Sequence, residues 1–337
     1  MKILSIETSC DETAVAIVEN GRKILTNRIY SQIDIHQKYG GVVPEIASRN
    51  HIVKLPYIID EALAESQLTL ADIDAIGVTN GPGLVGALLI GLSTAKAMAY
   101  SLGKPLIGVH HIEGHIAANF LQYPDLEPPF LTLVVSGGHS HLVLVEDFQT
   151  FKVLGRTIDD AAGEAFDKIS RVLGLGYPGG PAIDLAAQNG NPAAIAFPRV
   201  MLDKNKFDFS FSGLKSAVLN YINGKKMKNE AIDPNDVAAS FQMAVVEVLV
   251  RKTIACAEKI KIKTLCMAGG VSCNSLLRKM MTVAAEEAGI TLCYPDPILC
   301  TDNAAMIGSM AYYNYINGGE SDLSLNGIPG MKIGYRQ

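Results

Sequence analysis

The sequence predicts an α/β protein in which one β-β-β-α plan occurs twice, and three observations lead to this prediction. A trio of short apolar strands begins at Lys2, and a second trio begins at Phe130, an offset of about 130 residues. Hydrophobic residues make up 48% of the chain and glycine occurs 31 times, which is typical of tightly packed α/β proteins. The length of 337 residues suits two domains rather than one. We expect domains at 1–125 and 126–337, an insertion near 197–230, and last residues that pack back on the first domain.

Composition excludes several classes of protein. A formal net charge of −5 and a pI near 5.8 give no global basic character, so any RNA binding must be local or shared with a partner. The six cysteines form no C-x-x-C pair, which argues against a zinc ribbon and a disulfide framework. The N-terminus shows no secretory signal, and the most apolar stretch, 84–102, is interrupted by Lys96. We therefore expect a cytoplasmic protein without a membrane span.

The first half of the chain contains a polar turn and an apolar helix. Its strands are predicted at 2–9, 13–19, 23–30 and 75–80, its helices at 51–67 and 84–102, and a loop at 37–49. The turn after the first strand carries Thr8, Ser9 and Asp11, which offer donors and a carboxylate to a phosphate or its metal, or form an ordinary hairpin turn. Helix 84–102 is apolar nearly all round and so must be covered on more than one side.

Two histidines four residues apart follow the apolar run 104–108, which is predicted as a buried strand. In the alanine-rich helix after this run, His111 and His115 project from one face about one turn apart, so both imidazoles could reach one metal ion. The alternative is two histidines that only cap the helix or form hydrogen bonds. In the H-E-x-x-H motif of metalloproteases the glutamate directly follows the first histidine, whereas Glu113 lies on the opposite side of the helix. A zincin-type mechanism is therefore disfavoured.

The second half repeats the strand trio around a glycine-rich turn. Its strands are predicted at 130–135, 140–145, 151–157 and 264–268, a long helix at 234–259, and an irregular glycine-rich segment at 174–181. The turn 136–139, Ser-Gly-Gly-His, can bend tightly and present amides to an anion. A helix that begins near Asp159 carries Glu164 and Asp167 on one face, as surface carboxylates or as partners of sugar hydroxyls.

Several further residues have two interpretations. The segment 197–230 is locally basic, which indicates a solvated face or an RNA contact. Gly269-Gly270 ends a strand, where a flat ring could lie against the backbone. Asn274 hydrogen-bonds a ligand or caps the next helix, and Asp302 is the N-cap of the last helix or a third metal ligand. The lysines of the basic segment are Lys204, Lys206, Lys215, Lys225, Lys226 and Lys228.

Five motifs, taken in order along the chain, carry a family resemblance. They are I-E-T-S-C-D-E-T at 6–13, the pair His111 and His115, S-G-G-H at 136–139, G-G-V-S-C-N at 269–274 and T-D-N at 301–303. Together they resemble the bacterial tRNA N6-adenosine threonylcarbamoyltransferase (TsaD) family over nearly the whole chain. This family, formerly called O-sialoglycoprotein endopeptidase, belongs to the actin/Hsp70/sugar-kinase superfamily. The resemblance therefore implies two duplicated actin-like domains with a cleft between them.

The resemblance also implies a reaction and a metal ion. The family transfers the threonylcarbamoyl group from L-threonylcarbamoyladenylate to the N6 amine of the adenosine 3′-adjacent to the anticodon, in tRNAs that read codons starting with A, and releases AMP. His111, His115 and Asp302 match the metal ligands, with Fe2+ as the usual ion and Zn2+ as the alternative. Such a metal would act as a Lewis acid and template on the threonylcarbamoyl group.

Further positions match the binding site for the adenine nucleotide. The matching residues are Val135, Ser136, Gly137, Gly138 and His139 in the donor loop, Asp167, Gly180, Asp184 and Asn274 around the ribose and base, and Asp11 in the phosphate-side turn. Archaeal and eukaryotic relatives place a metal-binding tyrosine just ahead of Ser-Gly-Gly, where this chain has Val134 and Val135. The fourth metal ligand is therefore open among water, substrate and His139.

By the same resemblance the chain requires partners. A TsaB-like paralogue is expected to bind through helices 51–67 and 84–102, which carry more apolar surface than one small domain covers, and a small TsaE-like ATPase is also needed. We expect the isolated chain to be a poor transferase. Aspartate at Leu88 or Leu92 is expected to block pairing while leaving the chain folded.

Two other functions share parts of this pattern. An actin-like small-molecule kinase would have the same fold and nucleotide cleft, but it has no need of two helix-borne histidines. A nucleotide-gated assembly protein would explain the apolar helix 84–102, but it would leave the metal residues unused. The metal content of the purified protein, together with a test for phosphorylation of sugars by ATP, distinguishes these alternatives.

Overall fold

The computed structural model describes residues 1–200 and 206–335, and the chain divides into two compact units. Unit 1 comprises Met1–Pro128, Val145–Lys152 and Tyr294–Gln337, and unit 2 comprises Pro129–Leu144 and Val153–Cys293. The C-terminal segment from Tyr294 therefore belongs to the same unit as the N-terminal residues. The boundaries 1–125 and 126–337 stay a prediction about the two repeats along the chain.

Ten strands and eleven α-helices lie within these described residues. The strands are Lys2–Glu7 (β1), Glu12–Glu19 (β2), Lys23–Ser31 (β3), Ala75–Gly81 (β4), Leu106–His110 (β5), Phe130–Val135 (β6), Ser140–Val145 (β7), Phe151–Arg156 (β8), Thr264–Ala268 (β9) and Thr291–Cys293 (β10). The helices are Ile33–His36 (α1), Pro44–Ser66 (α2), Val85–Leu102 (α3), His111–Gln122 (α4), Ala162–Leu173 (α5), Gly179–Ala187 (α6), Ser212–Met227 (α7), Pro234–Lys259 (α8), Ser275–Glu287 (α9), Pro297–Cys300 (α10) and Ala304–Ile316 (α11).

The sheet of unit 1 brings three strand ends to one edge. Its strand order is β3-β2-β1-β4-β5, and β1 pairs antiparallel with β2 but parallel with β4. Because β4 is also parallel to β5, the carboxyl ends of β1, β4 and β5 lie at the same edge. Glu7 ends β1, and His111 follows β5 directly. This edge is where function is expected in an α/β sheet.

The sheet of unit 2 has the same topology. Its strand order is β10-β9-β6-β7-β8. This is the order of unit 1 read in reverse, with β6 in the place of β1, β7 of β2, β8 of β3, β9 of β4 and β10 of β5. β6 pairs parallel with β9, as β1 does with β4. The predicted α/β class and the predicted duplication are therefore confirmed.

Helix α2 begins earlier than the sequence analysis predicts. Residues 37–49 were expected to form a loop, but the helix begins at Pro44. Proline suits the first helical position because its missing N–H needs no partner there and its fixed φ already matches the helix. The loop prediction is therefore wrong for residues 44–49.

The described part of unit 1 covers only one face of helix α3. Leu88 and Leu92 are 0% and 1% exposed in the core, whereas Val85 and Leu89 are 55% and 42% exposed. By length and composition α3 could cross a membrane, but one such helix is weak evidence, and a third of it is buried in the chain. Among residues 1–200 and 206–335 only this face is covered, and the expectation that further sides are covered stays a prediction.

The burial of Leu88 and Leu92 corrects one expectation about partner binding. Both side chains pack in the core of unit 1 rather than on its surface. An aspartate at either position would bury an unpaired charge and destabilise the fold. The expectation that such variants stay folded is therefore wrong, and a test of pairing must use exposed positions of α3.

Helix α11 packs against the central strand of unit 1. The Ser5 hydroxyl of β1 donates a 2.6 Å hydrogen bond to the carbonyl of Ala304. Gly308 permits this close approach, since a Cβ there would lie 2.8 Å from Ser5 Oγ. Asp302 lies two residues before α11, so this packing holds it near the start of α4.

Part of the predicted basic segment is engaged in ion pairs within unit 2. Lys215 Nζ lies 2.7 Å from Asp160 Oδ2, and Lys225 pairs with Glu230. Lys204 lies outside the described residues. An RNA contact through this segment stays a prediction.

Candidate functional site

Three predicted ligand atoms converge in unit 1. His111 Nε2 lies 3.5 Å from Asp302 Oδ1, and His115 Nε2 lies 3.1 Å from the same oxygen. The two imidazole rings have centroids 4.7 Å apart, as expected for residues one helical turn apart. Ligand atoms of all three residues lie within 4.8 Å of one another. The predicted proximity of His111, His115 and Asp302 is therefore found, and ion binding stays a prediction.

The residues next to the proposed ligands, His110 and Asn303, cap the two helices. The three proposed ligand side chains are therefore not needed as caps. His110 is the N-cap of α4, and its Nδ1 accepts a 3.1 Å hydrogen bond from the Ile112 amide. Asn303 is the N-cap of α11, and its Oδ1 accepts a 3.0 Å hydrogen bond from the Met306 amide. The alternative that Asp302 caps the last helix is therefore wrong.

The donor set fits a divalent cation. His115 Nε2 is buried, and despite its 3.1 Å distance from Asp302 it has no hydrogen-bond partner among residues 1–200 and 206–335. A buried polar atom without a partner costs about 1–3 kcal/mol. Two imidazole nitrogens and a carboxylate oxygen that face one point match the ligands of Fe2+ and Zn2+, and they leave coordination positions open.

The pKa values in the site follow from burial and from neighbouring charge. Burial lowers the pKa of His111, but the negative charges of Asp302 and Glu7 outweigh it and raise this pKa well above its usual value. For His115 burial dominates, and the pKa is lowered. Burial raises the pKa of Asp302, but both histidines outweigh it and hold this pKa far below its usual range. Without a cation, His111 is therefore the protonated member of the pair.

The turn between β1 and β2 adds further carboxylates. Burial, followed by the charges of Asp11 and Asp302, raises the pKa of Glu12 well above its usual value. Burial and the same two carboxylates raise the pKa of the Cys10 thiol.

Glu113 occupies a different environment from the histidines. It is fully buried, and its Oε1 accepts a 2.9 Å hydrogen bond from the Gly334 amide of the C-terminal segment. A zincin would need this carboxylate beside the metal. The observed contact agrees with the prediction that a zincin mechanism is disfavoured.

In unit 2, close backbone packing fixes the predicted donor loop. Gly269 has φ +86°, and a Cβ there would lie 2.4 Å from the carbonyl oxygen of Val135. At Gly163, a Cβ would lie 2.5 Å from the carbonyl oxygen of Ser136. Both positions therefore require glycine for packing within the chain. This accounts for Gly269 without a ligand, while Gly270 borders open space.

The two glycines inside the loop differ from those that support it. A Cβ added at Gly137 or Gly138 would meet nothing within 4 Å, and neither residue has a left-handed φ. The turn is closed by a 2.9 Å hydrogen bond from the Ser136 amide to the His139 carbonyl. Neither packing against the described residues nor backbone conformation requires glycine at 137 or 138, so these positions suit the close approach of a ligand.

Asn274 and Asp184 form one hydrogen-bond network. Asn274 Oδ1 caps α9 at the Leu277 amide (2.9 Å), and its Nδ2 lies 2.9 Å from Gln242 Oε1 and 3.4 Å from Asp184 Oδ1. Asp184 also accepts hydrogen bonds from the backbone amide and the hydroxyl of Ser275. The capping interpretation of Asn274 is therefore confirmed, and its role toward a ligand stays a prediction.

Asp167 contacts the start of α6, where Gly180 is the second residue. The Gly179 amide donates a 2.7 Å hydrogen bond to Asp167 Oδ1, and a Cβ at Gly179 would lie 2.5 Å from the Asp167 Cα. At the next position, Gly180, a Cβ would meet nothing within 4 Å. The carboxylate thus holds the helix start, and the open position beside it is free of packing constraints.

Two polar residues of these networks were missed by the sequence analysis. Glu7 contacts His111 in unit 1, and Gln242 contacts Asn274 in unit 2. Both side chains are buried: Glu7 ends β1 directly after Ile6, and Gln242 lies in a largely apolar stretch of α8. A polar residue inside an apolar pattern is the signal that could have indicated them.

The topology and the clustered ligand atoms define an actin-like α/β protein with a candidate metal centre. Solved structures of the same fold support this class. HypF of T. kodakarensis aligns with a TM-score of 0.67 at 16% identity, over 96% of this chain and 49% of that chain. The activator of the 2-hydroxyisocaproyl-CoA dehydratase from Clostridium difficile aligns with a TM-score of 0.52 at 13% identity, over 96% and 99% of the two chains.

Sequence comparison identifies the family within this class. The family model for tRNA N6-adenosine threonylcarbamoyltransferase, TsaD, matches residues 23–309. Relatives named tRNA N6-adenosine threonylcarbamoyltransferase include one from Clostridium kluyveri, 58% identical over 100% of this chain and 99% of its own. Another, from Clostridioides difficile, is 58% identical over 98% of both chains. This chain therefore belongs to the TsaD family of tRNA-modifying transferases.

Proposed function

We propose that this chain performs the reaction of its family through a metal centre in unit 1 and a nucleotide site in unit 2. The threonylcarbamoyl group passes from L-threonylcarbamoyladenylate to the N6 amine of the adenosine 3′-adjacent to the anticodon, and AMP leaves. The observation that carries the proposal is the convergence of His111 Nε2, His115 Nε2 and Asp302 Oδ1. A small-molecule kinase has no use for such a ligand set.

Fe2+ is the proposed ion, with Zn2+ as the alternative, since both accept two imidazoles and a carboxylate. When bound, the ion would supply a Lewis acid and a template for the threonylcarbamoyl group. His111 and His115 project from one side of α4 with their Nε2 atoms toward Asp302, whose negative charge favours a cation. Water, substrate and His139 remain the candidates for the fourth ligand.

The nucleotide site is proposed for the loops of unit 2. The donor loop, Val135 to His139, packs closely against Gly163 and Gly269, which fixes its position. Its amides can therefore donate hydrogen bonds to charge that develops on the carbamoyl group. Asp167, Gly180, Asp184 and Asn274 are proposed to hold the ribose and base of the adenine nucleotide. Asp11, in the turn after β1, is proposed to have a phosphate-side role.

The proposed partners are tRNA, a TsaB-like paralogue and a TsaE-like ATPase, in the cytoplasm. A net charge of −5 gives the chain little general attraction for tRNA, so a partner must supply part of that surface. The paralogue is proposed to cover the apolar face formed by α2 and α3. The exposed side chains of this face are Ile52, Val53, Tyr57, Val85 and Leu89.

Transfer of labelled threonylcarbamoyl from its adenylate to tRNA tests the proposal directly. We expect transfer with the metal and both partner proteins present, and little transfer by the isolated chain. A decrease in the label transferred to tRNA after removal of the metal would support the metal centre. Failure of transfer with all components present, or phosphorylation of a sugar by ATP instead, would refute the proposal.

Asn274→Ala is expected to weaken the binding of AMP while metal content stays near one ion per chain. The variant loses a donor to Asp184 and Gln242 and the cap of α9, and a cap is worth about 1 kcal/mol. If Asn274 also bonds the nucleotide, the Kd for AMP should rise by about fivefold, the value of one net hydrogen bond. Calorimetric titration measures this. Unchanged AMP affinity would mean that Asn274 only caps the helix.

Metal affinity is expected to rise with pH above the usual pKa of histidine. The pKa of His111 is raised well above 6.5, so its Nε2 must lose a proton before it can bind a cation. Acidification through this raised pKa therefore weakens metal binding, because one proton competes with each bound ion. His115 has a lowered pKa, so it takes up a second competing proton only at lower pH. Titrations with Zn2+ at several pH values measure the slope. A pH-independent affinity would contradict this assignment.

A further inference from the structure

Glu7 is a fully buried carboxylate beside the proposed metal centre. It ends β1, and the register of the parallel strands, Ile6 opposite Val78, places Thr79 of β4 next to it. Thr79 Oγ1 donates a 2.6 Å hydrogen bond to Glu7 Oε2, and the Ser9 amide donates a 2.5 Å hydrogen bond to Oε1. A buried carboxylate is stable only with such partners. Two donors from two backbone segments therefore hold its orientation.

The third contact of this carboxylate is with a proposed metal ligand. His111 Nδ1 lies 3.0 Å from Glu7 Oε2. The Ser9 hydroxyl lies 3.2 Å from the same nitrogen, but a hydroxyl can donate or accept and so does not select a tautomer. An ionised carboxylate only accepts, so it requires a proton on Nδ1. When His111 gives up its second proton to bind a cation, its lone pair therefore belongs to Nε2, the atom that faces Asp302.

We propose that Glu7 is a positioning residue that fixes the ring and tautomer of His111, so that Nε2 is the atom presented to the metal. This inference rests on the proposed metal centre and adds a residue to it. Metal-bound histidines commonly donate their second N–H to a carboxylate, which fixes the ring and raises its basicity.

The two histidines of the centre differ in this support. His115 Nδ1 is buried and has no hydrogen-bond partner among the described residues, whereas His111 Nδ1 has Glu7. The orientation of His115 therefore depends on the packing around its buried ring. Glu7 contacts His111 Nδ1, the ring nitrogen that does not face the proposed metal. We therefore expect removal of this carboxylate to lower the metal affinity strongly.

The test compares Glu7→Gln with Glu113→Gln in the full chain, using Zn2+ as the probe. Glutamine keeps the shape of the side chain, but its amide can accept from or donate to Nδ1 and so no longer selects the tautomer. Glu113 is a matched control, because it is equally buried, lies on α4 and contacts Gly334 instead. The Zn2+ Kd is measured by competition with a chelator, and thermal unfolding of the metal-free variants reports the structural cost.

We expect Glu7→Gln to weaken Zn2+ binding by about 10–100-fold, and Glu113→Gln to leave it close to that of the wild type. Equal Zn2+ affinities of the wild type and Glu7→Gln would overturn the inference. If the wild type bound Zn2+ no better than His111→Ala, the metal centre itself would fall, and this inference with it.

A second measurement on the unaltered chain applies even if Glu7→Gln does not fold. Nitrogen-15 spectra of the Zn2+-bound chain, labelled at histidine, distinguish a protonated Nδ1 from a metal-bound one. We expect His111 to coordinate through Nε2 with its proton on Nδ1. Coordination of His111 through Nδ1 would overturn the inference.

Discussion

Replacing both His111 and His115 with alanine is expected to remove the metal and abolish threonylcarbamoyl transfer, while AMP binding largely survives. Only Asp302 would remain of the proposed protein ligands, and one carboxylate holds a divalent ion weakly at a site open to water. The loss should exceed the ~10–100-fold that follows removal of an outer hydrogen-bond partner. Metal analysis, transfer to tRNA with the partner proteins present, and AMP titration measure the three effects.

His110→Ala is the matched control for the double variant. His110 precedes the pair and caps α4 through Ile112, so its loss costs a helix cap but none of the proposed ligands. Asp302→Asn is the finer test, because it keeps the shape of the third ligand and removes its charge. Full transfer by the double variant with no bound metal would show that the histidines are structural and that the central assignment is wrong.

Much of the fold could be predicted because its signals are local. Alternating apolar residues and the Asn20-Gly21 turn define β2 and β3, and the predicted bounds of β6, β7, β9 and α8 agree with the observed ones. The start of α2 was missed because Pro44 fits both a loop and the first turn of a helix. Local patterns thus located the elements better than their ends.

What could not be predicted depends on contacts between distant parts of the chain. Spacing alone left Asp302 as either an N-cap or a ligand, and the neighbouring Asn303 decides this by capping α11 itself. The core positions on α3 were also not separable by pattern, because an apolar helix gives no sign of which leucine is inside. Glu7 acquires its role only through Thr79 and His111, both far along the chain.

At the proposed nucleotide site, three polar side chains already have partners within the chain. Asn274, Asp184 and Asp167 each hold a helix start through their polar atoms. Residues that shape a loop and residues that touch a ligand can therefore carry the same side chains. The open glycines, Gly137, Gly138 and Gly180, are the more specific observation, because no contact in the described part of unit 2 requires them.

Leu89→Asp is expected to prevent pairing with the TsaB-like paralogue and thereby to abolish multi-turnover transfer, while the chain stays folded. Leu89 is 42% exposed on the apolar face of α2 and α3, so a charge there remains hydrated in the free chain but would be buried without a partner in the complex. Loss of a central apolar contact should weaken pairing by at least about tenfold. Sedimentation and calorimetry of the mixed proteins measure pairing, and transfer to tRNA measures its consequence.

Two further aspartate variants separate pairing from folding. Val283→Asp places the same charge at a half-exposed apolar position on α9 of unit 2, and it should leave pairing unchanged. Leu88→Asp, one residue from Leu89 but buried in the core, should lower the thermal stability of the isolated chain instead. If Leu89→Asp pairs as tightly as the wild type, or if the isolated chain shows full multi-turnover activity, the paralogue does not act through this face. Leu88→Asp thus tests the buried face of α3, and Leu89→Asp tests its exposed face, which is the proposed partner surface.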